Sequence, residues 1–242
     1  ISEPSNLFSK LAFLNTKATD WLLPLLLLII VAIVSTFIYM SNPEIKLEMQ
    51  QQQEKAMREQ FQKMVESGQM TQQQVDEQLD KTAEMMNNPM IIYLIPSISI
   101  FVIMLLWFFI FTTIAFLIAK FAFKGDGSYS QAMTAMGLSM YISVLQSIIL
   151  VIVGLLMGKM LTGLNPASLT GMDIKTLPGF LLSRLDVFSI WFYIVVGIAF
   201  AKMFKSDNVK KYIFTSIGFW LVFMFIIFGL SKVSPMFGNM IR

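Results

Sequence analysis

Residues able to do chemistry near the apolar part of this chain are few. Asp126, Asp173, Asp186 and Asp207 fall in separate loops. Hydrolysis of a lipid or peptide within a membrane needs a nucleophile with its base, a pair of acids or a metal cluster. The chain has 0 His and 0 Cys, which removes the commonest general base, the thiol nucleophile and the usual soft metal ligands. No glycine-rich phosphate cradle of the P-loop kind appears, so nucleotide energy would have to come from a partner. The expectation is therefore no catalytic residue, no metal and no cofactor.

Two patterns remain that could carry binding. Ser183-Arg184-Leu185-Asp186 has the spacing of a capping box, with Ser183 as the cap and Asp186 near the positive end of the helix that follows. The competing reading makes Asp186, at a membrane boundary, an ion or partner site. Ser139, Ser143, Gln146, Ser147, Gly154 and Gly158 lie along one face of a long apolar run. Gly154-x-x-x-Gly158 is the small-residue spacing that lets helices approach closely in lipid, and Gly197 with Ala201 offers a matching surface. The same stripe could line a solute path, but it carries no charge, so packing is the favoured reading.

The elements that must hold these residues are apolar runs. Residues 21–40, 97–119, 130–158, 187–201 and 212–231 contain no Asp, Glu, Lys or Arg. A hydrocarbon core of roughly 30 Å asks for about 20 apolar helical residues, and inside it the backbone must bond to itself. Only 14% of residues are charged and 56% are hydrophobic, against about 25% charged in an ordinary soluble domain. The predicted fold is an all-α polytopic membrane protein with five transmembrane helices. The fourth run is short and must borrow Leu181–Leu182 or its polar flanks; its span is drawn at 187–203. The charge-free stretch 85–119 is too long for one crossing, about 52 Å at ~1.5 Å per residue, so Pro89 and Pro96 are expected to divide it, with the span starting near Ser97.

Before the first span, residues 1–20 read as an interfacial helix, with Leu7, Phe8, Leu11 and Leu14 at helical spacing and Lys10 and Lys17 reaching headgroups. No basic region, short apolar stretch and cleavage site precede the first span, so no cleaved leader is expected. Segment 41–88 is the only large polar one. Asn42-Pro43 starts a Gln/Glu-rich helix whose stripe is Met57, Phe61, Met64 and Val65; Ser67-Gly68 breaks it. Thr71-x-x-Gln74 then opens a second helix with Val75, Leu79, Ala83 and Met86 on one side. This is an extramembrane hairpin. Its stripes either pack on each other or dock a partner helix through Phe61, Met64, Val75 and Leu79. Residues 89–242 hold the other four spans.

Orientation follows from basic residues in short loops. With five spans, one face carries Lys10, Lys17, Lys120, Lys124, Lys202, Lys205, Lys210 and Lys211, while the other carries Lys159, Lys175, Arg184, Lys232, Arg242 and the hairpin, whose five basic and nine acidic residues give a net −4. The N-terminus is expected in the cytoplasm, and the hairpin and C-terminus outside. The overall +3 needs no nucleic-acid partner to explain it.

Order and spacing of several segments between these spans resemble the Ypt/Rab-interacting-protein (Yip) domain family, bacterial branch. The segments are Glu3-Pro4-Ser5-Asn6-Leu7-Phe8, Trp21-Leu22-Leu23-Pro24-Leu25-Leu26, the Met/Gln-rich insert around Met70–Gln74, Gly125-Asp126-Gly127-Ser128-Tyr129-Ser130-Gln131-Ala132, and Leu185-Asp186-Val187-Phe188-Ser189-Ile190-Trp191 through Gly197. One departure is Met140-Tyr141-Ile142, where many relatives carry a proline. The Rab-binding role of eukaryotic relatives has no recognisable motif here. The resemblance implies a five-span protein of the cell membrane (a bacterial inner membrane), with a cytoplasmic N-terminus and no established chemistry. The function expected is a non-enzymatic scaffold or accessory subunit, in contact with lipid and with other membrane proteins or a second copy. The alternative is a component of a small-solute or lipid transporter or channel.

Overall fold

The computed structural model describes residues 3–85, 88 and 90–233. Among them every regular element is helical, as hydrocarbon requires of a chain that must satisfy its own backbone. The order is α1 (Pro4–Leu11), α2 (Thr19–Ser41), the hairpin α3 (Pro43–Glu66) and α4 (Gln72–Met85), then α5 (Ile95–Leu117), flanked by π-helical turns at Met90–Leu94 and Ile118–Ala122. There follow α6 (Tyr129–Met157), the short α7 (Pro166–Thr170) and α8 (Leu177–Ser183), then α9 (Val187–Met203) and α10 (Val209–Val233). Four helical stretches are each long and apolar enough to cross a membrane: α2, Met90–Ala122, α6 and α10. Taken together as one span, α8 and α9, a pair bent by 58° at a short break, are long and apolar enough for a fifth crossing. The chain is a polytopic helical membrane protein.

Two boundaries differ from the sequence reading. The second span is helical from Met90 rather than from Ser97, with Pro96 in the first turn of α5. The π turn ahead of it carries the chain into α5 without a division. Pro89 lies outside the described residues. At 33 residues this helix is about 50 Å long, so it must tilt or project beyond the bilayer. The N-terminal helix also stops at Leu11, and Leu14 lies beyond it, exposed. Instead of resting on lipid alone, α1 packs against α9 and buries Phe8 in the core.

The spans pack in the sequence α2 on α6, α6 on α9 and α9 on α10, with α5 laid against α2 and α6. Small residues set the closest approaches. A Cβ built on Gly137 of α6 would stand 2.4 Å from Trp21 Cα, and one on Gly197 of α9 would stand 2.5 Å from Ile213 Cα, so neither crossing tolerates a side chain. Around them Leu25, Ile29, Phe108, Ile142, Val195 and Phe200 form one buried cluster.

The two ends of the bundle are tied differently. At one end Gln131 Nε2 donates to the Ala12 carbonyl at 3.1 Å, and the Asp126 N–H donates to the Phe204 carbonyl at 3.0 Å. The N-terminal segment, the α5–α6 loop and the α9–α10 loop thus share that end. Here α6 opens on a reciprocal capping box between Ser128 and Gln131. At the other end Ile45, in the first turn of α3, is fully buried with Tyr39 and Val151. Beyond that turn α3 and α4 form the polar hairpin, whose second helix opens on the reciprocal Thr71–Gln74 bonds.

Candidate functional site

Asp186, at 3% exposure, is the one carboxylate that the fold buries among the described residues. It stands at the break between α8 and α9, and as the first cap of α9 its Oδ1 accepts from the Ser189 N–H at 2.9 Å. Its Oδ2 accepts from the Leu164 N–H at 2.7 Å. Gln146 Nε2, from the middle of α6, lies 3.1 Å from both oxygens. One carboxylate therefore joins α6, the loop after α6 and the start of α9. Burial of a charge is tolerated when each lone pair is met by a donor, and here backbone N–H groups at a helix start add their dipole. Gly163 makes room for this: a Cβ there would meet Asp186 Oδ2 at 3.0 Å and Asn165 Nδ2 at 2.4 Å. Buried Asn165 caps α7 through its Oδ1, which accepts from the Ser168 N–H at 2.9 Å.

Ser183 is not the cap that the capping-box spacing suggested. It lies in the last turn of α8, its Oγ donating to the Phe180 carbonyl at 2.6 Å and accepting from Arg184 Nε and Nη2 at 3.0 and 2.8 Å. The bend between α8 and α9 moves the helix start three residues on, so Asp186 itself is the cap. Arg184 also stacks its guanidinium 5.0 Å from the Phe180 ring centroid.

The stripe on α6 separates into different roles. Ser139 is fully buried with its Oγ donating to the Ala135 carbonyl at 2.7 Å, while Ser143 and Ser147 are half-buried. Gly154 does admit a neighbour: its absent Cβ leaves space for Tyr39, whose hydroxyl donates to the Leu150 carbonyl at 3.0 Å. Gly158 is no packing residue. It ends α6 in the left-handed conformation at φ 65°, which glycine adopts without strain. Gly197 faces α10 and not the α6 stripe. Gly137, which no small-residue repeat marked, lies against Trp21 of α2 with no room for a Cβ.

A cavity of about 210 Å³ lies where α5, α6, α9 and α10 meet. Trp107 and Phe111 of α5, Met136 and Met140 of α6, Phe192 and Phe200 of α9, and Tyr212 and Phe219 of α10 help to line it. Phe111 meets Phe219 and Phe223 edge-on at 6.0 and 5.3 Å, joining α5 to α10 by rings. Polar groups are scarce, and Ser216, one of them, is occupied by the Tyr193 and Ile213 carbonyls. Ordered water needs two to four polar partners, so this space suits hydrocarbon and not a hydrated solute.

The family model for the Yip1 domain matches residues 4–230. The chain belongs to the Yip1 domain family. No curated protein and no solved structure matches it. The Yip1 match takes in the 41–88 hairpin and the membrane-spanning helices as far as residue 230 of α10. Within the hairpin Val75 is buried and Phe61, Met64 and Leu79 are half-buried, with α4 folded back on α3. Met86 lies outside the described residues. What the hairpin leaves exposed is mainly Gln and Glu, together with Leu47 and Met85. No group of three or more metal-ligating side chains occurs among the described residues.

Proposed function

We propose that this Yip1-domain protein is a non-enzymatic scaffold or accessory subunit of a membrane protein complex. The observation that carries the reading is the Asp186 junction. The most buried carboxylate and the most polar residue of the α6 stripe, Gln146, are spent on each other and on backbone donors. A carrier holds such groups facing a pathway, where they exchange partners with cargo. Here they fasten helices, and the prominent cavity is apolar. The transport alternative needs Gln146 as a lining residue and so is the weaker reading.

The polar hairpin gives the scaffold its arm. Its anchorage to the spans is the buried Ile45 turn, and its exposed surface is acidic and amide-rich, suited to a hydrophilic partner surface or a second copy. Loop charge supports a cytoplasmic lysine-rich end, with the hairpin outside a bacterial inner membrane. Affinity purification from native membranes tests the role. The intact chain is expected to bring down a partner in fixed proportion, and a chain lacking residues 52–82 of the hairpin to lose it. Recovery of the chain alone, with a solute flux in liposomes that Gln146→Leu abolishes, contradicts the proposal.

A further inference from the structure

The cavity between α5 and α10 runs toward the lysine-rich end of the bundle. Its wall on α5 continues through Ile118 and Ala119 to Phe123, and on α10 it reaches Tyr212. At this rim Lys211 Nζ sits 3.8 Å from the Phe123 ring centroid, and Phe123 meets Tyr212 edge-on at 4.9 Å. The aromatic pair therefore holds an ammonium at the groove mouth. The contact uses the ammonium's charge but leaves its N–H groups able to donate. Lys120 follows directly on the lining residue Ala119. Segments 120–127 and 202–211 together carry Lys120, Lys124, Lys202, Lys205, Lys210 and Lys211 against Asp126 and Asp207. Asp126 pairs with Lys205 at 2.8 Å, and the two segments together remain net basic. The buried Tyr212 hydroxyl has no hydrogen bond of good geometry among the described residues, although Ser206 lies beside it.

We propose that this groove is a binding site for one anionic glycerophospholipid, an acyl chain lying between α5 and α10 and the phosphate held at Lys120 and Lys211. Each half of the lipid answers a different feature. An apolar, ring-lined slot at membrane depth takes hydrocarbon and has no partners for water. A cationic rim at the headgroup level attracts phosphate. A zwitterionic lipid satisfies the slot but not the net positive charge of the mouth, so the proposal commits to the anionic class.

Trp107 lines the groove and reports on it. The full-length protein is reconstituted in phosphatidylcholine vesicles holding a minor fraction of phosphatidylglycerol, with bromine on the acyl chains of one lipid or the other. The contribution of Trp107 is the difference between wild type and Trp107→Phe. Brominated phosphatidylglycerol is expected to quench Trp107 as though enriched about fivefold or more over its share of the bilayer, since one headgroup-facing lysine is worth about that preference. Lys120→Gln with Lys211→Gln, both substitutions outside the core, is expected to return quenching to the bulk share. Ala115→Phe, placed in the lining with the lysines intact, is expected to exclude both brominated lipids from Trp107. Quenching by the two lipids in proportion to their bulk shares overturns the proposal. So does an anionic preference that survives both lysine substitutions.

Discussion

Asp186→Ala isolates the junction on which the scaffold reading rests. The substitution removes the N-cap of α9, a loss of about 1 kcal/mol, and strips the half-buried Leu164 N–H of its acceptor, which adds about 1–2 kcal/mol. Gln146 Nε2 loses both of its contacts as well. The expected total is roughly 3 kcal/mol, a large share of the stability of an ordinary domain. Asp186→Asn keeps an oxygen for Ser189 but turns an amide N–H₂ toward another donor, so it falls between Ala and wild type. Gln146→Leu leaves the two backbone donors in place and is expected to lose about 1.5–3 kcal/mol, the range of a hydrogen bond to a charged group. In the double mutant the losses should not add: a coupling of about 1 kcal/mol or more is expected from residues sharing one bond network. Reversible unfolding in mixed micelles, followed by tryptophan fluorescence, gives these numbers. The reasoning is refuted if Asp186→Ala lies within about 0.5 kcal/mol of wild type, or if Asp186→Ala and Gln146→Leu are strictly additive.

Other consequences are local. Gly197→Ala places a methyl 2.5 Å from Ile213 Cα and should destabilise the α9–α10 pair by about 1–3 kcal/mol, measured in the same unfolding assay. Ser128→Ala breaks the capping box at the start of α6 and should lose about 1 kcal/mol, with faster amide exchange confined to the first turn. The Lys205 ammonium, bonded to Asp126 at 2.8 Å, holds that carboxyl below its ordinary value. A depressed folded pKa means that any stability from this surface pair is present at neutral pH and fades as pH falls through the depressed value, below about 3.9. Lys205→Gln should return the Asp126 carboxyl to the ordinary range, as read by carboxyl-carbon NMR.

The spans were legible because a crossing needs only length and the absence of charge, both of which a sequence displays directly. The junction was half legible. Asp186 stood out as an acid at a membrane boundary, but its partner Gln146 lies 40 residues away and belonged to a stripe with another apparent meaning. Ser183 misled because capping-box spacing carries no information about a bend, and α8 claims Ser183 for its own last turn. Gly158 misled for a related reason: the second glycine of a four-residue spacing stood where α6 ends, and it serves as the left-handed stop. Pro96 looked like a break, yet the helix runs through it from the π turn at Met90–Leu94. The groove had no signature at all. Along α5 nearly every position is apolar, so no period distinguishes the side facing lipid from the side facing α10.

Recovery from native membranes of the full-length chain beside its hairpin-deleted form, lacking residues 52–82, tests the central claim most directly. The account predicts a partner in constant proportion that disappears with the hairpin, while both forms keep a folded Asp186 junction and neither moves solute in liposomes. A chain that travels alone and conducts a solute, with the flux lost in Gln146→Leu, would contradict it.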